Sequence, residues 1–333
     1  MAAARGWAGL LELETLYLGG GTPSLLGVGA VPRLLDELGG GVELGGLREL
    51  TAEANPESFT PELAADWVGA GVDRVSIGAQ TFHEPSLKWM GRLHGPGGPG
   101  RAVAIARDAG LENVGLDLIF GLPERLGRDL SRDLDRILAL EPEHVSVYGL
   151  SVEPDTPLGR WVAEGRESMP DPDRYGEEYL QVTDRLRSAG YHHYEVSNFA
   201  LSGREAVHNG AYWRGVAYLG LGNGAHSFVG RERWWNHRDW PAYRRAVESG
   251  ALPRADAEQL DAAAGALERI WLGLRTDEGL SRAELTPAQR AVVGQWEAAG
   301  WVEADPARLR LTPEGWLLLD RLTVELDGAR ADA

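Results

Sequence analysis

A chain of 333 residues with 43% hydrophobic and 25% charged residues can form one large domain, or one large and one small, around a real core. Its formal net charge of −17 repels phosphate backbones and anionic membrane surfaces, which argues against a nucleic-acid partner. It contains no cysteine, so it cannot hold a thiolate-ligated metal centre, and no window approaches the ~20 apolar residues of a membrane span; the expected location is the cytoplasm.

Glu12 and Glu14 interrupt the leucines before Thr15, and this stretch reads as the end of a helix. From there, short β-branched or aromatic runs alternate with amphipathic stretches. Strands are predicted at Thr15–Leu18, Leu50–Ala54, Val75–Ala79, Val114–Phe120, Val145–Leu150 and Tyr194–Ser197. Helices are predicted between them at Val31–Leu38, Pro61–Gly71, Arg101–Ala109 and Leu130–Leu140. This alternation predicts an α/β fold of parallel strands with right-handed crossovers, either a partial, open barrel or a doubly wound sheet. Beyond Pro253 the pattern changes. Ala257–Leu274 reads as one long helix, Pro287–Ala298 as a second, Trp301–Glu303 as a strand and Trp316–Val324 as a last helix after an Arg308–Gly315 turn. The order predicts a small α+β winged-helix-like module. Such modules often bind DNA, but Glu297, Glu303 and Asp305 lie beside its few arginines, so packing or docking is the better reading. The expected division is a partial barrel over residues 1–200, a connecting segment over 201–253 and the C-terminal module over 254–333.

Polar residues gather at the predicted strand ends. Gly19-Gly20-Gly21-Thr22-Pro23 follows the first strand, Glu53 lies near the end of the second, Gln80 ends the third and Asp117 lies late in the fourth. One such residue is normally a strand terminator, but four at successive strand ends point to a shared mouth. The glycines let backbone approach a ligand closely, while the spacings of a P-loop and of a dinucleotide fingerprint are both missing. Loop carbonyls could accept from an ammonium group, Glu53 and Asp117 from ribose hydroxyls, and Arg92 could pair a carboxylate. Ammonium, carboxylate and ribose together describe S-adenosylmethionine.

The segments Leu16–Ser24, Thr51–Pro56, Arg74–Gln80, Met90–His94 and Asp117–Pro123 resemble, in order and spacing, the radical S-adenosylmethionine proteins related to oxygen-independent coproporphyrinogen III oxidase. Tyr194–Ala200, His208-Asn-Gly-Ala-Tyr-Trp213 and Gly220–Ser227 resemble the heme-chaperone (HemW) branch of that family more closely. The resemblance runs from about Thr15 to the C-terminus. It implies a partial (β/α)6 TIM-like barrel, its first strand missing here, with a smaller C-terminal domain. It also implies S-adenosylmethionine contacts at Gly20, Gly21, Thr22, Glu53, Gln80, Arg92 and Asp117. His208 would be an axial ligand of heme, Tyr212 and Trp213 a wall for the porphyrin, and a heme-acceptor protein the partner. From the residues alone, a histidine with two aromatics can equally hold a turn. His226 in its glycine-rich turn is a weaker competitor. His83, His94, His144, His192, His193 and His237 lack the spacing of a second metal site, and Glu141 and Glu143 around Pro142 read as solvated rather than as an acid/base pair.

The family holds its [4Fe–4S] cluster on a Cys-x3-Cys-x2-Cys loop after the first barrel strand. Only 18 residues precede Gly19 here and none is cysteine, so this chain cannot bind the cluster or cleave S-adenosylmethionine reductively. Two explanations compete: an internal start at Met1 with the cluster segment lost from the sequence, or a cluster-free descendant that keeps a binding role. The first is preferred, because the ligand residues are intact and the break falls inside a structural unit. The expected function is heme delivery of the chaperone type, with coproporphyrinogen oxidation in porphyrin biosynthesis and a cluster-free scaffold as alternatives.

Overall fold

The computed structural model describes residues 13–40 and 44–331, so the helix read before Thr15 falls outside the described residues. Two compact units divide the chain, one built from residues 22–28 and 51–205 and the other from 1–21, 29–50 and 206–333. The main sheet has seven strands: β1 Thr15–Leu18, β2 Glu49–Ala54, β3 Arg74–Gln80, β4 Asn113–Phe120, β5 His144–Gly149, β6 His192–Glu195 and β7 Asn198–Ala200, in the order β1-β2-β3-β4-β5-β7-β6. From β2 to β5 the pairing is parallel, as the sequence predicts. The last predicted strand, Tyr194–Ser197, straddles a turn instead. The chain doubles back there, and β7 pairs antiparallel with both β5 and β6. A hairpin needs only a tight turn, so two short antiparallel strands replace one more crossover.

In the unit of residues 22–28 and 51–205, side chains alternate between the two faces of each strand. One face is apolar: Ala52, Val75, Ile77, Val114, Leu116, Leu118, Val145, Val147 and Phe199 are all buried. The register sets Thr51 and Glu53 beside Arg74 and Ser76, and Asp117 beside Ser146, on the other face. Helix Gly98–Asp108 packs on β3 and β4, helix Pro61–Gly69 packs on that helix, and helix Pro172–Ser188 packs on β4, β5 and β6. Local chemistry starts these helices. Thr60 and Asp171 accept from the backbone N–H three residues on, each with a proline in the first turn, and Asp129 does the same for Leu130–Leu138.

The unit of residues 1–21, 29–50 and 206–333 holds a second, antiparallel sheet: β8 His226–Val229, β9 Glu232–Asn236 and β10 Arg254–Gln259, in the order β10-β9-β8. β10 corrects the long helix predicted from Ala257. Ala257, Glu258 and Gln259 pair with Trp234, Arg233 and Glu232, and the helix begins only at Ala262, where the Asp261 side chain accepts from Ala264 N–H. Cross-strand pairing, including an Arg233–Glu258 ion pair of 2.9 Å, outweighs the helical preference of Ala-Glu-Gln. The helices Ala262–Leu274, Pro287–Ala298 and Leu319–Ala331 follow, with β11 Leu280–Ser281 paired to β12 Arg308–Leu309. The predicted Trp301–Glu303 strand is a single bridge, Val302 to Leu311. The last predicted helix is interrupted: Pro313–Trp316 is a separate short turn whose Trp316 indole donates to Leu274 O at 2.8 Å.

One buried carboxylate holds the end of β3. Gln80 has a left-handed φ of 62°, and the β3–β4 register slips between Ile77 and Gln80. Such a conformation costs a non-glycine residue about 1–3 kcal/mol and persists only where its neighbours are fixed. Here Thr81 Oγ1 donates to Asp133 Oδ2 at 2.5 Å and Phe82 N–H donates to Asp133 Oδ1 at 2.8 Å. The Arg128 guanidinium lies 3.4 Å from the same carboxylate, and both side chains are 3% exposed. Asp133→Ala is therefore expected to lower unfolding free energy by about 3–5 kcal/mol, because buried Arg128 loses its nearer counter-ion and two buried donors lose their acceptor. Urea unfolding of the two proteins checks this, and a difference under ~1 kcal/mol would refute it.

Candidate functional site

The unit of residues 22–28 and 51–205 holds five of the predicted residues, with partners that the sequence did not single out. Ser76 Oγ donates to Asp117 Oδ1 at 2.9 Å. Burial pushes the Asp117 carboxyl up to about 6; the hydroxyls of Ser76 and Ser146 work against that rise, the charge of Glu53 adds to it and Arg74 opposes it. Just past β2, Asn55 joins two further candidates. Its Nδ2 donates to Thr22 Oγ1 at 3.3 Å, and its Oδ1 accepts from Arg92 Nη1 at 3.0 Å. Gln80 lies beside the same amide: a Cβ on Gly78 would come within 2.8 Å of Gln80 Nε2 and 3.4 Å of Asn55 Oδ1. Thr22, Asn55, Arg92 and Gln80 thus form one cluster, and Glu53, Ser76, Asp117 and Ser146 another. Gly20 and Gly21 belong to the other unit. Gly20 has a φ of 78°, which only glycine adopts freely, whereas Gly21 has no left-handed φ and a Cβ there would meet nothing within 4 Å. Open space over both glycines suits close approach of a ligand.

The second site lies wholly in the unit of residues 1–21, 29–50 and 206–333. Helix Val207–Trp213 starts against Glu49, whose carboxylate, 3% exposed, accepts N–H of Val207 at 2.8 Å and of His208 at 3.0 Å. These are orphan donors of a helix start, and a negative charge there is favoured by the helix dipole. The His208 imidazole is engaged at both nitrogens: Nδ1 lies 2.8 Å from Thr15 Oγ1, and Nε2 lies 3.1 Å from the Tyr212 hydroxyl. Tyr17 stacks on the ring with centroids 5.1 Å apart and planes at 17°. Burial lowers the His208 pKa, only partly offset by the Glu49 charge, so the ring is neutral at neutral pH. A neutral, oriented imidazole is a metal ligand in the required protonation state. Tyr212 stands edge-on to His208 at 5.1 Å, whereas Trp213 carries the Arg275 guanidinium over its ring at 4.4 Å. The buried Trp213 Nε1–H has no acceptor among the described residues, the kind of gap that a bound ligand with acceptor oxygens would fill. His226 is exposed and stacks on Trp235 at 5.8 Å. Among the described residues no three of His, Cys, Asp and Glu are grouped to hold a metal ion, and no helix is long and apolar enough to cross a membrane.

The radical SAM superfamily profile matches residues 7–137, and the HemN C-terminal domain profile matches residues 260–318. The heme chaperone HemW of Mycobacterium tuberculosis H37Rv is 40% identical over 319 residues, covering 95% of this chain and 81% of the relative. The heme chaperone HemW of Bacillus subtilis is 35% identical over 272 residues, covering 81% and 72% of the two chains. The chain belongs to the HemW family. The solved structure of Escherichia coli coproporphyrinogen III oxidase (HemN), a radical SAM enzyme, matches with a TM-score of 0.79 at 19% identity, covering 98% of this chain and 81% of that one. At that identity the likeness bears on the fold alone. The fold is a partial, TIM-like α/β barrel of the radical SAM type with a smaller C-terminal domain. Radical SAM relatives bind S-adenosylmethionine and a [4Fe–4S] cluster. The donors of this HemW-family chain do not fit the cluster, since its sequence has no thiolate to offer.

Glu143 corrects one smaller reading. It is not solvated: its carboxylate accepts Val114 N–H at 2.9 Å and pairs with Arg107 at 2.8 Å, tying a loop to β4. Asn55 and Ser76 were visible inside the quoted motifs, and strand alternation was the signal that could have found them. Thr15, Tyr17 and Glu49 had no such signal, because Thr15 lies 193 residues from His208 and Glu49 lies 159.

The raised Asp117 pKa has a definite consequence for stability. Folding favours the protonated carboxyl, so the contribution of this group is fully present below about pH 4 and is lost as pH rises through about 6. Asp117→Asn removes that dependence. Its unfolding free energy relative to wild type is expected to climb between about pH 4 and about pH 7, and a flat difference would exclude the raised pKa.

Proposed function

We propose that this chain is a heme-binding protein of the chaperone type, in which His208 supplies an axial nitrogen and the heme is passed to an acceptor protein. The observation that carries the reading is the His208 imidazole held between Thr15 and Tyr212 with Tyr17 against its face. The names of the relatives support it, as does the orphaned indole donor of Trp213. Heme iron takes an imidazole nitrogen readily, and a hydrogen bond at the other ring nitrogen orients such a ligand. Tyr212 and Trp213 would flank the porphyrin.

S-adenosylmethionine would lie over the polar sheet face of the unit of residues 22–28 and 51–205. In this reading Thr22 and Arg92 meet its charged amino-acid end, and Glu53, Gln80 and Asp117 take its hydroxyls and base. Gly20 and Gly21 stay in the reading as the family's glycine-loop contacts, each with open space where a Cβ would stand. The role is binding, and no step of radical chemistry is assigned to this chain. The division into residues 1–200, 201–253 and 254–333, a cytoplasmic location and the lack of a nucleic-acid partner belong to the same reading.

Titration with hemin, followed by absorbance, tests the heme site. Wild type is expected to give a histidine-ligated Soret band, and His208→Ala to lose it with at least about tenfold weaker binding. Identical spectra and affinities would remove His208 as the ligand. Calorimetry with S-adenosylmethionine tests the other site: Arg92→Ala is expected to weaken binding about 10- to 100-fold, the value of one charged hydrogen-bond partner. No heat with wild-type protein would leave the polar face without this ligand.

A further inference from the structure

Resting on the reading of His208 as a heme ligand, we infer that Tyr212 is a removable cap on the iron-binding nitrogen of His208, while Thr15 sets the tautomer that aims this nitrogen at the metal. The two hydroxyls flanking the ring are chemically unequal. A phenol is the more acidic donor and the poorer acceptor, because its oxygen lone pair is drawn into the ring; an aliphatic hydroxyl is the better acceptor. The polarity that uses both well has Nδ1–H donating to Thr15 Oγ1 at 2.8 Å and the Tyr212 hydroxyl donating to Nε2 at 3.1 Å. The imidazole is then neutral, with its only lone pair on Nε2 and covered by Tyr212.

Iron and the Tyr212 hydroxyl compete for that one lone pair. Ligation breaks the O–H···N bond and forms an Fe–N bond; the phenol keeps its proton and Nδ1 keeps its hydrogen. Thr15 and the Tyr17 stack remain in place throughout, because both come from β1 and face the ring on sides away from Nε2's partner. Glu49 fixes the backbone of Val207 and His208, and the Thr15 bond and Tyr17 stack hold the ring itself when the cap leaves. Tyr212 is itself half-buried and packs edge-on against Tyr218 at 4.6 Å, which helps to hold the capped position. The arrangement keeps a bare imidazole from taking up adventitious metal and releases it only to a ligand that repays the lost hydrogen bond. A transfer protein benefits from such a cap, since its return assists release.

The test combines nitrogen-15 NMR of labelled histidine in the ligand-free protein with hemin titration and stopped-flow mixing, on wild type, Tyr212→Phe, Thr15→Val and His208→Ala. In wild type, His208 is expected to be the Nδ1–H tautomer with a hydrogen-bonded Nε2. Tyr212→Phe is expected to keep that tautomer, lose the Nε2 hydrogen-bond signature and bind hemin about two- to tenfold tighter with faster association, matching one released hydrogen bond. Thr15→Val is expected to mix the two tautomers and to weaken the histidine-ligated Soret band. An Nε2–H tautomer in wild type overturns the inference. So does Tyr212→Phe binding hemin as wild type does, or more weakly, while His208→Ala loses it; that pair of results leaves His208 as the ligand and removes only the cap. Wild-type spectra from His208→Ala overturn both the ligand assignment and the cap built on it.

Discussion

Strand periodicity is the constraint on which the functional architecture rests. Successive side chains of a strand point to opposite faces, and in β2 to β5 this separates Ala, Val, Ile and Leu from Glu53, Ser76, Asp117 and Ser146. Parallel sheets covered on both faces carry near-continuous hydrophobic runs. These strands do not, so only one face was selected for helix packing and the other was left to hold polar groups. Because parallel register sets equivalent positions side by side, residues from separate strands become neighbours without any loop having to bring them there. The polar clusters are a direct product of that geometry.

Three carboxylates in the molecule show how surroundings assign a role. Asp133 is buried but answered by the Thr81 hydroxyl, the Phe82 N–H and the Arg128 guanidinium, and it holds the irregular end of β3. Glu49 is buried against the first two N–H groups of helix Val207–Trp213 and fixes where His208 stands. Asp117 has hydroxyl donors and the charge of Glu53 close by, and burial raises its pKa. The first two are anchors because donors meet both carboxylate oxygens. The third is met by hydroxyls and not by a close cation, and burial raises its pKa; that is the environment the proposed ligand site would use.

The absence of cysteine separates binding from radical chemistry in this HemW-family chain. The polar strand ends and the histidine site are both made of ordinary oxygen and nitrogen donors, and neither depends on a thiolate for its geometry. Asn55 links Thr22 to Arg92 through its own side chain, and Glu49 positions His208 through the backbone. Each site therefore carries its own scaffold, and the proposed heme and S-adenosylmethionine binding can be tested independently of a cluster.

The sequence by itself determined the parallel strands, the order of polar strand ends, the likeness to the radical SAM family and the impossibility of a thiolate-bound cluster. These are local or compositional properties: a period of two, a glycine loop, a residue type that is absent. Only the tertiary structure decided that Tyr194–Ser197 is a hairpin and that Ala257 begins no helix, because pairing with β5 and β9 outweighs local preference. It alone showed that Glu49, Thr15 and Tyr17 converge on His208 across more than 150 residues of chain. A residue's own neighbourhood in sequence carries no record of such partners, since packing of whole elements chooses them. The chain therefore announces its cluster-binding limit in its composition, and discloses the clasp around His208 only when folded.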